Sequence, residues 1–271
     1  MTSVSCVVPY YDDKGSLKAT IESLLSQSIE LSQIILVNDG CRRSDQNFEA
    51  IERITRRFSG DLLWVCHMEN QGVSAARNYG LEFCNTELIA FCDADEIWHP
   101  QKNEFQISIF KESPSSEVVC FDDFSSDVVE SIDVEDCQPR ASDLGMRDFI
   151  FKNPVILRTV CCRGEIDIYF DERLKVAEDL SLWLHLVLRR KTLIRKYSIG
   201  LVCPSFGRYR TSGLSSSSTD MLKSLLSVYL ELLRDKQIRF GDRIPVFLGL
   251  SIVVPRVFAI TFYRMCRELL K

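Results

Sequence analysis

The chain has 271 residues, 46% of them hydrophobic, with 33 Lys and Arg against 38 Asp and Glu for a formal net charge of −5. That length suits one large domain or a domain with a smaller lobe, and that apolar content can bury a core, which excludes a disordered chain. The acidic balance disfavours a nucleic-acid groove, and an anionic ligand would need local help from a metal, backbone N–H groups or an Arg.

The first 120 residues alternate strand and helix signals. Ser3 to Pro9 is a short β-branched run closed by proline. Ser16 to Ser28 has helical spacing through Leu17, Ile21, Leu24 and Leu25. Gln33 to Val37 is a continuous apolar run ended by Asn38-Asp39-Gly40, and Ser44 to Phe58 is helical again. Leu62 to Cys66 predicts a third strand, Ser74 to Phe83 a helix, and Leu88 to Cys92 a fourth strand stopped by Asp93. Continuous apolar strands between amphipathic helices describe a mostly parallel α/β sheet with helices on both faces, and such sheets bind ligands at the carboxyl ends of their strands.

The second half is less regular. Val118 to Phe121 predicts a strand, and Ser125 to Gly145, acidic and polar, a surface loop. Glu178 to Arg190 predicts a helix with Leu182, Leu186 and Val187 inward. Gly207 to Ser218, rich in Ser and Gly, predicts a mobile stretch, and Met221 to Lys236 a helix. Ile244 to Tyr263 is apolar enough to raise the question of a membrane span. Pro245, Pro255 and Arg256 interrupt it, and a span would put Arg256 in lipid at a cost of about 2.5–3.5 kcal/mol or more. A packed or interfacial helix is expected instead, with peripheral membrane contact as one use for it.

There are 11 cysteines, with no Cys-x-x-Cys pair, and the N-terminus runs into a strand-like stretch without a positive n-region. Most cysteines are therefore expected to be small buried hydrophobes, reduced in a cytosolic enzyme that works in the cytoplasm or at the inner face of its membrane.

Three strand ends carry polar residues: Pro9-Tyr10-Tyr11-Asp12, Asn38-Asp39, and Asp93-Ala94-Asp95. The fourth leads into Asn70-Gln71-Gly72. Asp93 and Asp95 are hard oxygen donors suited to Mg²⁺ or Mn²⁺ shared with a diphosphate, or a solvated acidic turn. Asp39 can accept a hydrogen bond from a base, or belong to a plain Asx-Gly turn. Tyr10 or Tyr11 can stack on a base, or cover the sheet edge. Gly72 permits close backbone approach and Ser74 can cap the helix that follows. Arg77 can pair with an aspartate of the site, or make a surface ion pair. Asp179 can serve as a general base, or simply favour a helix N-terminus.

Together these residues resemble glycosyltransferase family 2, with the GT-A fold, over most of residues 3 to 215. The resemblance is carried by Val7-Val8-Pro9-Tyr10-Tyr11-Asp12, Ile35-Leu36-Val37-Asn38-Asp39-Gly40-Cys41, Asn70 to Asn78 and Asp93-Ala94-Asp95-Glu96. Phe170 to Leu174 with Glu178-Asp179, and Tyr209-Arg210 with Ser215, extend it. It implies that Pro9, Tyr11 and Asp39 hold a nucleotide and that Asp93 sits near ribose or metal. It implies that Asp95 ligates the metal, and that Asp179 is the base of an inverting transfer. It implies a nucleotide-sugar donor, a UDP-sugar above others, a divalent cation (Mn or Mg), and a glycan or lipid-linked acceptor in cell-surface polysaccharide synthesis.

The resemblance also implies a domain over 1–215, with a nucleotide-sugar part at 1–112 and an acceptor part at 113–215, and a helical extension over 216–271. Departures from the family pattern are Asn38 and Glu96, each where an aspartate is usual, and Thr211-Ser212, where some members carry a histidine. A nucleotidyltransferase would use similar carboxylates, but no Gly-rich, Lys- or Arg-bearing phosphate loop follows the first strand, and no Gly-x-Gly-x-x-Gly either. A non-catalytic nucleotide-binding protein of the same fold is the other alternative.

Overall fold

Runs such as Val-Ser-Cys-Val-Val-Pro-Tyr and Gln-Ile-Ile-Leu-Val-Asn-Asp have no polar face to offer solvent, so they pair at the centre of a sheet. In a computed structural model, which describes residues 2–11, 15–40, 45–67, 69–122, 139–149, 152–204, 218–252 and 254–255, both runs are buried throughout. The elements in chain order begin β1 (Val4–Tyr10), α1 (Leu17–Leu25), β2 (Gln33–Asp39), α2 (Asp45–Thr55), β3 (Asp61–His67), α3 (Val73–Leu81), β4 (Leu88–Phe91) and β5 (Glu96–Trp98). They continue with α4 (Lys102–Glu112), β6 (Val118–Asp122), β7 (Ala141–Leu144), β8 (Cys161–Arg163), α5 (Glu178–His185), β9 (Ile194–Gly200), β10 (Val202–Pro204) and α6 (Ser218–Arg234).

The main sheet has the order β3-β2-β1-β4-β8-β6-β9-β7. Its first four strands are parallel. β8 runs antiparallel to both neighbours, and β6 and β9 are parallel. β5 and β10 form a separate antiparallel ribbon. The parallel half matches the expected elements within a few residues at each end. α3 lies directly on β1 and β2 because Gly80 has no side chain: a Cβ there would stand 2.5 Å from Val7 Cγ1 and 2.9 Å from Val37 Cγ2.

Two expectations change, and one helix forms where none was expected. The polar stretch expected as a loop to Gly145 contains the edge strand β7 at Ala141–Leu144, while residues 123–138 lie outside the described residues. α4 has no expected counterpart: its buried face mixes polar Lys102, Asn103 and Gln106 with apolar Ile107, Ile109 and Phe110, which blurs the amphipathic pattern. The helix expected over Glu178–Arg190 ends as an α-helix at His185 and continues as a wider π-turn over Leu186–Arg190. That turn shifts the inward face, so Leu188 is buried and Val187 only half-buried. Six of the eight described cysteines are buried, as expected.

The described residues group into two compact units. One draws on Met1–Asp143, Val155–Tyr169 and Leu193–Tyr209, the other on Leu144–Pro154, Phe170–Thr192 and Arg210–Lys271. The first contains the parallel half-sheet and the β5–β10 ribbon. In the second, α5 buries Leu180, Leu182, Trp183 and Leu184, and α6 buries Val228, Tyr229 and Leu232, with the Tyr229 hydroxyl donating to the Phe149 carbonyl at 3.3 Å. The stretch expected to be an interfacial or packed helix is helical over 243–252, and its residues from 256 onward lie outside the described ones. No helix among the described residues is long and apolar enough to cross a membrane.

Candidate functional site

Because β3, β2, β1 and β4 are parallel, their carboxyl ends deliver His67, Asp39, Tyr10 and the Asp93 turn to one rim of the sheet. Asp39 is buried there, and its carboxylate is already bonded. Oδ1 accepts the Gln71 N–H at 2.9 Å and lies 2.9 Å from His67 Nδ1, and Oδ2 accepts the Gly72 N–H at 2.8 Å. The His67 ring packs in turn on Tyr79 of α3, with centroids 4.8 Å apart.

The Asx-Gly pair is therefore more than a solvent turn. Gly40 has φ +82°, and a Cβ on it would stand 2.3 Å from the Asn70 nitrogen, so only glycine lets the end of β2 lie against the 69–72 loop. Gly72, at φ +95°, then starts α3. Ser74 does not cap that helix: it lies inside the first turn, buried, and its hydroxyl has no hydrogen-bond partner among the described residues. The carboxylate next to the helix start is Asp39, which is also favoured there by the helix dipole.

Of the two roles open to Arg77, a pair with an aspartate of the site or a surface ion pair, the geometry has the first. Arg77 is buried on α3, and its Nη2 donates to Asp93 Oδ1 at 2.9 Å. The Asp93-Ala94-Asp95 turn is closed by the Glu96 N–H donating to the Asp93 carbonyl at 3.1 Å. The Thr20 hydroxyl of α1 pins it by donating to the Ala94 carbonyl at 2.9 Å. Asp93 and Asp95 are both half-buried. Glu96 turns inward instead, toward Arg158 Nη1 at 3.5 Å, so it is not aligned with the two aspartates as a third rim carboxylate. Among the described residues no group of three or more His, Cys, Asp or Glu side chains is arranged to hold a metal by itself.

At the end of β1, Pro9 is buried in the sheet opposite Val37. Tyr10 does not present its ring to the rim. It is buried, accepts a hydrogen bond from Trp64 Nε1 at 2.7 Å, and meets that indole edge-on with centroids 6.0 Å apart. The following ring, Tyr11, is 57% exposed, so stacking on a base is available to Tyr11 and not to Tyr10. Asp12 lies outside the described residues.

In the second unit Asp179 opens α5, half-buried. Its Oδ2 accepts from Asn153 Nδ2 at 2.8 Å, and Oδ1 lies 2.7 Å from the Leu180 nitrogen. Ala177 just before the helix is left-handed, at φ 61°, which costs a non-glycine residue roughly 1–2 kcal/mol. Strain of this kind is common beside functional groups. Tyr209-Arg210 and Ser215 lie outside the described residues. Neither the His67–Asp39 nor the Asn153–Asp179 contact is an expectation of the sequence: His67 ends a strand at the shared rim, which is a readable signal, whereas the Asn153–Asp179 contact spans 26 positions and has no local signature.

Residues 5–136 match the family model for glycosyl transferase family 2. Over these residues the chain is similar to that family. The minor teichoic acid biosynthesis protein GgaB of Bacillus subtilis is 28% identical over 239 residues, covering 79% of this chain and 24% of GgaB. The chain spans about a fifth to a third of the length of the curated relatives it matches first.

Among solved structures, S. aureus TarS 1–349 in complex with UDP-GlcNAc has a TM-score of 0.68 at 19% identity, over 95% of this chain and 73% of that one. A mannosyltransferase from Pyrobaculum calidifontis in complex with GDP-Man and Mn²⁺ has a TM-score of 0.67 at 13% identity, over 94% and 73%. At these identities the likeness is one of fold, and the fold is GT-A.

Proposed function

We propose that the chain is an inverting glycosyltransferase that moves a sugar from a nucleoside-diphosphate sugar, a UDP-sugar above others, to a hydroxyl of a glycan or lipid-linked acceptor. The observation that carries this reading is the rim of the parallel half-sheet, where the Arg77–Asp93 pair and Asp95 stand beside the loop braced by Asp39. The family match, and the UDP-GlcNAc bound by TarS, support a nucleotide-sugar donor. The relation to GgaB supports a cell-surface polymer as the destination.

Each residue has a distinct task in this reading. Tyr11 offers the exposed ring to the base. Asp39 mainly holds the 70–72 backbone in place. With three contacts made, its carboxylate keeps acceptor capacity on Oδ2 for a base N–H. Gly72 lets the donor approach the start of α3, and Arg77 holds Asp93 in one rotamer.

The Asp93 and Asp95 carboxylates fit Mg²⁺ or Mn²⁺: two hard oxygen donors completed by substrate phosphates and water is a usual Mg²⁺ arrangement, and it needs no third protein ligand. Such an ion neutralises diphosphate charge when bound. Asp179 takes the proton of the acceptor hydroxyl, its carboxylate oriented by Asn153. One base and one displacement invert the anomeric centre, with positive charge building on the sugar ring.

The test is a donor-hydrolysis and transfer screen over several nucleotide-sugars with Mg²⁺ and Mn²⁺. Release of a nucleoside diphosphate, abolished by EDTA, is the expected result. Release of pyrophosphate would move the chain to nucleotidyl transfer, and calorimetric binding of UDP without turnover of any donor would make it a binding protein.

A further inference from the structure

The helix over 243–252 uses only one of its faces. Val246 is fully buried, and Gly249 packs so closely on α6 that a Cβ there would stand 2.8 Å from Tyr229 Cζ. The other face, with the turn before it, presents Phe240, Ile244, Phe247 and Leu248, exposed by 82, 56, 55 and 51%. Four of the seven exposed large apolar side chains among the described residues thus fall within nine positions. Scattered apolar residues are ordinary on a protein surface, but a contiguous stripe marks an interaction site.

Charge identifies what the stripe meets. Arg234, Lys236 and Arg239 are exposed along the approach to it. The acids in the same stretch are engaged by cations of the π-turn and of the residue after it: Asp235 by Arg189, and Asp242 by Lys191. Arg243 donates to the Ile238 and Asp235 carbonyls, which fixes this basic turn against the helix. From residue 234 to 271 the sequence has eight Lys and Arg against three Asp and Glu, a net +5, in a chain whose total is −5. A second copy of the chain would bring its own basic patch against this one, and like charges across an interface oppose association. An anionic lipid surface offers both an apolar layer and the opposite charge.

We propose that residues 234–248 dock the protein on an anionic lipid bilayer, with Phe240, Ile244, Phe247 and Leu248 entering the acyl boundary and Arg234, Lys236 and Arg239 at the level of the headgroups. The helix lies in the interface and does not cross it, in keeping with the absence of any spanning helix among the described residues. The surface is independent of the proposed transfer reaction and is tested without it.

The test is flotation of the whole protein with vesicles of phosphatidylcholine alone and of an equimolar mixture with phosphatidylglycerol. The expected result is binding to the mixed vesicles about tenfold or more tighter than to neutral ones, weakening as salt rises. Phe247→Glu with Leu248→Glu removes it, and Lys236→Glu with Arg239→Glu weakens it by a similar factor. All of these side chains are exposed, so the variants melt as the parent does. Equal binding to both vesicles, no binding, or full retention by the Phe247→Glu, Leu248→Glu variant overturns the proposal. So does a dimer, seen by light scattering, that this variant dissolves while vesicles are never bound. UDP calorimetry on the same variants reports separately on the nucleotide site.

Discussion

Replacing Asp39 by Asn separates a residue that braces the loop from one that only touches a base. The carboxylate is 3% exposed and holds two backbone N–H groups, Gln71 on Oδ1 and Gly72 on Oδ2, with His67 Nδ1 also on Oδ1. An amide of the same shape has one acceptor oxygen. If that oxygen keeps Gln71 and His67, the amide NH₂ faces the Gly72 N–H, donor against donor. Losing one charge-assisted bond and leaving a buried donor unpaired costs about 3 kcal/mol. In a domain of this size each kcal/mol lowers Tm by about 2–4 °C, so Asp39→Asn should melt about 6–12 °C below the parent. Amide exchange at Gln71 and Gly72 should accelerate in step. UDP affinity should also fall, because α3 carries Arg77 to Asp93. A variant that melts within about 1 °C of the parent, with exchange at Gln71 and Gly72 unchanged, would refute the brace even if UDP binding were lost.

Gly40→Ala forces a left-handed backbone on a residue with a Cβ and pushes that Cβ into the Asn70 backbone. A loss of about 2–4 kcal/mol is expected in urea unfolding, and a neutral result would mean that the 69–72 loop is free to move away. Asp179→Asn should lower kcat by about 10²–10⁴-fold with UDP affinity kept, and unchanged turnover would remove it as the base. Lys102, wholly buried against the Trp98 ring and donating to Gln106, is pushed by burial from its ordinary value down to about 8. Between pH 8 and its usual range near 10.5 the unfolded chain keeps a proton that the fold releases, so this group adds stability as pH rises, by about 3 kcal/mol in all. Buried Cys120 and Cys161, raised to about 12 by burial, act oppositely above pH 9. The readout is therefore the difference from Lys102→Met. The Met variant should be the more stable at pH 7, with the gap closing toward pH 10. A gap constant with pH would show that the ammonium is not destabilised by burial.

The parallel half-sheet was legible because a strand covered on both faces has no polar residue to spare. Once Val7, Ile35 and Ala90 are placed in adjacent parallel strands, the rim that carries Asp39 and Asp93 follows from strand direction alone. The Arg77–Asp93 pair was legible only as one of two possibilities, the other being a surface ion pair, and the burial of Arg77 decides between them. α4 was not, because two of the polar side chains it buries donate to distant partners: Asn103 Nδ2 to the Ile29 carbonyl and Gln106 Nε2 to the Thr159 carbonyl. Hydrophobic periodicity has no record of such pairings.

The sequence by itself determined which residues reach the rim, because position along a buried strand depends on local pattern. Only the tertiary structure decided what they do there. Tyr10 turned out to be buried against Trp64, 54 positions away, while Tyr11 stayed exposed. Asp39 spends most of its carboxylate on a loop 32 residues further along. A buried polar group must find a partner wherever the fold places one, and that choice depends on packing between elements and not on the order of residues within them.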